Sequence, residues 1–257
     1  MRLFFVLLAL HVTIGSVLAG DLPATAAAPE EPPAPLAAAL QKLMADEGHW
    51  AYTQTTQVFD RDGLPKEGLQ VERYDPSQPE DQQWTLVLKK GRPPTGREVH
   101  SWKKKKAREM RRREDKPLGE VLDINRAQVN REEGPELVYE IPLQQSASRR
   151  FPAEKFVVFM TVNRARLTLE HFGLKTRESF RMAGVAKIEQ VEIDASFATV
   201  DEKYAPQPRE ITAHGAGKVL FFRVGARAEI KWTDFKRVTP YNDRFVVKLG
   251  ELKVLDF

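Results

Sequence analysis

The stretch VEIDASF at residues 191–197 places an apolar side chain at every second position, with an acidic or hydroxyl side chain between. Successive side chains of a β-strand point to opposite faces, so this period of two predicts a strand with one buried and one hydrated face. The same alternation occurs at residues 166–171 and 228–233. Such strands are typical of antiparallel sheets that cover a core on one side. In this pattern His171 falls on the apolar face, and we interpret it as a core residue.

Further strands are predicted on both sides of this stretch, and glycine-containing turns separate many of them. Two of them, residues 156–162 and 219–224, are apolar on both faces, so we expect them to be central strands covered on both sides. The others are rich in aromatic and β-branched residues and lie at residues 50–59, 69–74, 83–89 and 137–143.

The predicted fold class is mainly β (α+β), with about ten to eleven strands in one large antiparallel sheet and two or three helices. A sheet of this size curls, which predicts an unclosed half-barrel whose concave apolar face is filled by helices or by a ligand. One helix is predicted from Leu36 to Glu47, where Gly48 ends it, and residues 118–128 are predicted to be helical or irregular. We expect residues 36–257 to form a single domain.

The first twenty residues have the layout of a secretory signal peptide, with Arg2, an apolar run from Leu3 to Leu10, and small residues up to Gly20. A retained N-terminal anchor is the alternative. Residues 21–35 are rich in proline and alanine and predict a flexible leader. The chain has no cysteine, hence no disulfide and no lipid-attachment site at the cleavage position. We therefore expect a periplasmic protein without a lipid anchor.

A strongly basic segment interrupts the strands at residues 94–116. Between Arg97 and Lys116 there are ten Lys/Arg against four Asp/Glu, a local net charge of +6, in a stretch of good helix formers. One interpretation is a basic helix that contacts an anionic membrane surface or an acidic partner; the alternative is a hydrated helix that its few apolar residues hold against the domain. The predicted contact residues are Trp102, Lys103, Lys104, Lys105, Lys106, Arg111, Arg112 and Arg113.

No pattern of catalytic or metal-binding residues is present. The histidines lie far apart without an HExxH motif, there is no cysteine nucleophile, and no GxSxG sequence occurs. We therefore expect no metal, no cofactor and no enzymatic activity. The net charge of the whole chain is only +4, and export excludes nucleic acid as the reason for the basic segment.

In architecture the sequence resembles the periplasmic lipoprotein-carrier fold, the group that contains the outer-membrane lipoprotein-sorting chaperone. The resemblance rests on the signal peptide, the N-terminal helix, the early strand at residues 52–55, and segments 180–184 and 230–235. It implies an unclosed barrel that binds lipid or acyl chains. Carriers of this type hold a cationic residue in the cavity, and the sequence does not identify its equivalent here.

This resemblance and the spread of aromatic residues lead to one functional hypothesis: a monomeric binding protein or carrier that holds a hydrophobic ligand, an acyl chain or a lipidated partner in its concavity. The alternative is a non-catalytic envelope scaffold or stress-sensing module whose cavity is filled by its own helices. Most of the aromatic residues are expected to form the core, and a subset is expected to line the cavity. The predicted ligand-binding residues are Trp50, Tyr52, Phe156, Met160, Phe180 and Trp232.

Overall fold

A computed structural model of the protein describes residues 31–113, 121–144, 152–182, 186–220 and 222–245. The predicted signal peptide and most of the predicted leader lie outside the described residues. The described helices are α1 (Ala34–Asp46) and α2 (Gly96–Arg113). The strands are β1 (Trp50–Asp60), β2 (Pro65–Tyr74), β3 (Trp84–Leu88), β4 (Gln128–Glu133), β5 (Glu136–Ile141), β6 (Phe156–Asn163), β7 (Thr168–Thr176), β8 (Phe180–Met182), β9 (Ala186–Ala198), β10 (Gln207–Val219) and β11 (Phe222–Arg237).

The strands form one antiparallel sheet of eleven strands, in the order β3-β2-β1-β11-β10-β9-β7-β6-β5-β4. Strand β8 pairs with the start of β9, next to the place where β7 pairs with its middle, so β7 and β8 act as one interrupted strand. Within the described residues, β3 and β4 are the two edges and the sheet is not closed into a barrel. The predicted fold class, an unclosed sheet of ten to eleven strands with few helices, is confirmed.

One face of the sheet carries the main core, and we call it the inner face. Antiparallel pairing places directly opposed residues on the same face, so the register identifies its members. Helix α1 packs on this face over β6 and β7, with Leu36, Ala39 and Leu40 buried in the main core. A row of opposed inner-face residues crosses seven strands: Thr56, Ile230, Ile211, Ala195, Phe172, Met160 and Tyr139.

Helix α1 begins at Ala34, two residues earlier than predicted, because proline is compatible with the first turn of a helix and Pro35 lies there. Its last residue, Asp46, is buried and accepts hydrogen bonds from three other elements. Trp50 Nε1 donates to Asp46 Oδ2 over 2.7 Å, Gln207 Nε2 donates over 3.2 Å, and Arg237 Nη1 donates to Oδ1. This Asp46 cluster joins the end of α1 to the ends of β1, β10 and β11.

The structure corrects two interpretations of the strand pattern. A register shift between β6 and β7 leaves Glu170 as an extra residue, so His171 pairs with Thr161 on the outer face and Phe172 takes the inner position. His171 is therefore half exposed, with Nε2 2.8 Å from Asp194 Oδ2, rather than a core residue. The second predicted central strand, residues 219–224, is not a covered one: its described residues 219–220 and 222–224 form the exposed end of the β10–β11 hairpin.

Replacing Asp46 by alanine tests how much the Asp46 cluster contributes to the fold. The substitution leaves the buried donors of Trp50 and Gln207 without their carboxylate, so we expect the free energy of unfolding to fall by about 3 kcal/mol. Urea denaturation followed by circular dichroism measures this value. Glu202→Gln, at an exposed acidic residue, is the control and should change stability by less than about 0.5 kcal/mol. A loss below about 1 kcal/mol in Asp46→Ala would contradict the assigned role.

Candidate functional site

The candidate site is the part of the inner face that lies under the basic helix α2. The helix starts with a capping box formed by Thr95 and Glu98. The backbone N–H of Thr95 donates to Glu98 Oε2 over 2.9 Å, and the backbone N–H of Glu98 donates to Thr95 Oγ1 over 3.4 Å. Arg92 adds two hydrogen bonds of 3.0 Å to the same carboxylate. These contacts fix where α2 begins and the direction in which it leaves β3.

The Glu98 carboxylate is held in its charged form by these donors. The Thr95 backbone N–H, the Arg92 guanidinium and the Thr95 hydroxyl lower its pKa from 4.5 to about 2. Each of these donors bonds better to a carboxylate than to a neutral carboxyl group. The start of α2 is therefore stabilised at neutral pH by a charged cap.

Helix α2 faces the sheet with residues one turn apart. Trp102 and Lys106 are buried, whereas Lys103, Lys104 and Lys105 are exposed. Positions i and i+4 lie on the same side of a helix, so Trp102 and Lys106 form one contact stripe and the three lysines between them point elsewhere. The basic helix is thus held against the domain by an indole and an ammonium group.

Both groups of this stripe bind the carboxylate of Glu72, which lies on the inner face of β2. Lys106 Nζ is 2.9 Å from Glu72 Oε2, and the side chains of Lys106 and Glu72 are only 9% and 4% exposed. Trp102 Nε1 donates to Glu72 Oε1. Gln54 Nε2 and Gln70 Nε2 also donate to Glu72, over 3.3 and 3.0 Å. We call these five residues the Glu72 cluster.

A set of aromatic rings in tilted and edge-to-face contact adjoins the Glu72 cluster, and we call Tyr52, Tyr74, Trp84 and Phe235 the aromatic patch. The ring of Tyr74 lies 4.8 Å from that of Trp84 and 5.1 Å from that of Tyr52, while Phe235 lies 6.0 Å from Tyr52. Lys106 Nζ lies 3.7 Å from the centre of the Trp84 ring, which is a cation–π contact. Among the described side chains, Trp84 Nε1 is the buried donor that has no acceptor.

The six predicted ligand-binding residues do not form a single lining. Phe156 and Met160 are buried in the main core under α1, with Phe180 partly buried against them. Tyr52 belongs to the aromatic patch. Trp50 belongs to the Asp46 cluster, and Trp232 is buried on β11 opposite Gln54, between the two helix-covered regions.

The eight predicted membrane or partner contacts are also divided by the structure. Lys103, Lys104 and Lys105 are exposed on α2, and Lys105 Nζ lies 3.7 Å from Glu109. Trp102 and Lys106 are buried against the sheet and are therefore not part of the exposed basic surface. Arg111, Arg112 and Arg113 belong to α2, but their side chains lie outside the described part of the structure.

Sequence reasoning missed Glu72, the central acceptor of the site, because a carboxylate in an alternating strand is expected on the hydrated face. Two signals pointed to this arrangement. One is the Thr-x-x-Glu capping box at residues 95–98. The other is the spacing of Trp102 and Lys106, which places an indole and an ammonium group on one side of the helix. The charge run hid the second signal, since Lys106 is one of four consecutive lysines.

The described residues contain no group of three metal-ligating side chains. Within the same ranges, no helix has the length and hydropathy needed to cross a membrane. His171 and Asp194 form a pair on the outer face, on the side of the sheet opposite the helices.

No protein-family model and no curated protein matches the chain. Among solved structures, the protein is similar to a LolA superfamily protein from Nitrosomonas europaea, with 12% sequence identity and a TM-score of 0.38. The match covers 83% of this chain and 96% of that chain. The likeness is one of fold.

A double-mutant cycle tests the Lys106–Glu72 pair. We expect the effect of Glu72→Gln on the free energy of unfolding to change sign when Lys106 is replaced. Lys106→Met leaves the Glu72 carboxylate buried without its counter-charge, so we expect it to lower the free energy of unfolding by about 3 kcal/mol. Glu72→Gln should destabilise the wild-type protein but stabilise the Lys106→Met variant, because it removes the uncompensated charge there. Lys104→Met, at an exposed position of the same helix, is the control. Additive effects in urea denaturation would argue against a coupled buried pair.

The Glu98 cap predicts a pH dependence at acidic pH. Since the folded-state pKa of Glu98 is lowered from 4.5 to about 2, its contribution is fully present above pH 4.5 and is lost as the pH falls towards 2. The stability difference between the wild type and Glu98→Gln should therefore shrink over that range. Urea denaturation of both proteins at constant ionic strength measures it, and a difference independent of pH would rule out the charged cap.

Proposed function

We propose that the protein is a non-catalytic binding protein or carrier that holds an acyl chain with an anionic or ester head group on its inner face, beneath α2. In this proposal the head group lies beside Lys106 and Trp84, and the chain extends over the aromatic patch towards Trp232. Such a site suits a fatty acid or the acyl chain of a lipidated partner. A monomer acting in the periplasm, where the signal-like residues 1–20 would direct it, is part of the same proposal.

The observation that carries the proposal is the buried N–H of Trp84 without an acceptor, next to a buried ammonium group. Buried polar groups are nearly always hydrogen-bonded, so an indole N–H left over in a protein interior calls for an acceptor. A carboxylate or ester oxygen would supply one and would lie within the field of Lys106. The surrounding rings offer apolar surface to the chain that follows.

The way in which α2 is attached supports access to this site. Its apolar contact with the sheet is small, with Trp84, Leu86 and Trp102 buried and Tyr52 and Tyr74 packed beside them. The rest of the attachment in the described residues is the polar Glu72 cluster. A buried ion pair contributes little net stability because the loss of hydration offsets most of the attraction. Helix α2 can therefore separate from the sheet at lower cost than α1, which is embedded in the main core.

A second candidate function is an envelope scaffold or stress-sensing module that binds no ligand. The favouring observation is that inner-face residues such as Met160, Phe172 and Ile230 are already buried by the protein itself. In this alternative α2 stays closed, and the exposed Lys103, Lys104 and Lys105 contact an acidic partner or an anionic membrane surface.

A fluorescent fatty acid distinguishes the two functions. With dansyl-undecanoic acid as the probe, we expect saturable uptake by the wild type and weaker binding, by about fivefold, by Trp84→Phe, which keeps the ring but lacks the N–H. Glu72→Gln should accelerate uptake about tenfold because it weakens the attachment of α2. Glu80→Gln, at an exposed carboxylate before β3, is the control and should behave like the wild type.

The same experiment contains the outcome that would support the scaffold. If neither the wild type nor a natively folded Glu72→Gln variant takes up the probe, and mass spectrometry of the purified protein finds no co-purified lipid, the carrier proposal fails. Circular dichroism of each variant shows whether it is folded. Equal affinities of the wild type and Trp84→Phe for the probe would show that the protein binds it without a contribution from the Trp84 N–H.

A further inference from the structure

The end of the β10–β11 hairpin exposes large apolar side chains. Leu220 is 63% exposed and Phe222 is 73% exposed, and Val219 and Val224 beside them are also exposed. We call residues 218–220 and 222–224 the hairpin tip; residue 221, also a phenylalanine, lies outside the described residues. Contiguous exposed apolar groups are uncommon on soluble proteins and mark sites of interaction.

The residues at the end of this hairpin are not the types that a tight turn favours. Val219 pairs with Phe222 across the hairpin, and Leu220 directly follows Val219 in the sequence. Tight hairpin turns favour Asn-Gly or Gly-containing pairs because their backbone needs positive φ values. Leu220 has φ +56°, a conformation that is unfavourable for leucine. The sequence thus places an apolar side chain at the outermost position at a conformational cost.

The hairpin tip has an apolar side and a basic side. Val219 pairs with Phe222, and Val224 pairs with Gly217, on the same face as the Ile211–Ile230 pair, so these side chains continue the inner face towards the end of the hairpin. Lys218 pairs with Arg223 on the outer face, and Lys187 of β9 lies opposite Lys218. Arg181 of β8 lies opposite Lys187 on that face. One acid, Glu189, lies 3.2 Å from Lys218, while Arg181, Lys187 and Arg223 are exposed.

The tip also extends beyond its neighbour on one side. The pairing of β1 with β11 ends at Asp60 and Ala226, so residues 222–225 of β11 continue past the end of β1. On the other side, β9 and β8 accompany the tip and contribute the basic residues. Leucine, phenylalanine and valine therefore project from an end of the sheet that is edged with cations.

We infer that the hairpin tip inserts into the surface of an anionic phospholipid bilayer. Apolar side chains enter the boundary between head groups and acyl chains, and Arg181, Lys187 and Arg223 contact the phosphates and anionic head groups around them. The cationic border makes this surface complementary to anionic lipids. It disfavours a second copy of the chain, which would bring the same positive charges together. The inference concerns a surface separate from the ligand site beneath α2 and does not depend on that site.

Vesicle binding tests this inference. Leu220→Ser/Phe222→Ser should lower partitioning into phosphatidylcholine vesicles containing phosphatidylglycerol by at least about fivefold, because the tip loses its inserted apolar surface. Arg181→Gln/Lys187→Gln/Arg223→Gln should lower it by about fivefold per charge and make it insensitive to salt. Phe245→Ser is the matched control, since Phe245 is 66% exposed but lies after the other end of β11.

A site-specific probe tests insertion itself. The chain has no cysteine, so Leu220→Cys and Phe245→Cys each accept a single NBD label. On anionic vesicles the label at residue 220 should show a blue-shifted and stronger emission, and the label at residue 245 should not. Equal responses of the two labels would overturn the inference.

The controls separate this surface from the others. The triple variant Lys103→Gln/Lys104→Gln/Lys105→Gln tests the exposed face of α2. If this variant loses vesicle binding and the tip variants do not, the contact belongs to α2 and the inference is overturned. Analytical ultracentrifugation tests self-association. If the wild type does not bind vesicles but forms dimers with increasing concentration, and Leu220→Ser/Phe222→Ser does not, the tip is a self-association surface instead. Fatty-acid uptake should be unchanged in the tip variants, so the ligand proposal and this inference fail independently.

Discussion

The buried carboxylate of Glu72 is the constraint on which the arrangement of the basic helix depends. It faces the core side of the sheet, so it requires donors and a counter-charge, and α2 supplies them through Trp102 and Lys106. The run of four lysines is thereby divided, with one ammonium group used inside the protein and three left outside. The lysine run therefore supplies both an exposed basic surface and one of the contacts that hold α2 against the sheet.

The two helices cover the same inner face by different means. Helix α1 contributes leucine and alanine to the main core, and Asp46 links its end to three strands. Helix α2 rests on a polar cluster and an aromatic patch. Apolar burial supports α1 at roughly 2 kcal/mol per buried leucine, whereas a buried ion pair gains little over its lost hydration. Opening is thus expected at α2.

The sequence predicted the sheet well because alternation is a local property. The pattern at 191–197 and the apolar run at 156–162 became β9 and β6, and the unclosed sheet of eleven strands was anticipated. The errors arose where a non-local feature decided the outcome. A bulge at Glu170 moved His171 to the outer face, and a turn at Leu220 converted an apparent central strand into an exposed hairpin end. Glu72 was missed because two of its donors, Trp102 and Lys106, come from a helix about thirty residues later in the chain.

Hydrogen–deuterium exchange of the backbone amides measures whether α2 opens more readily than α1, since it reports the local opening of each helix separately. We expect amides in residues 96–113 to exchange through an opening of lower free energy than those in residues 34–46, and Glu72→Gln to lower this free energy for α2 alone. Equal exchange of both helices at the rate of global unfolding would contradict this expectation, because the inner face would then be sealed and α2 would be a fixed part of the core.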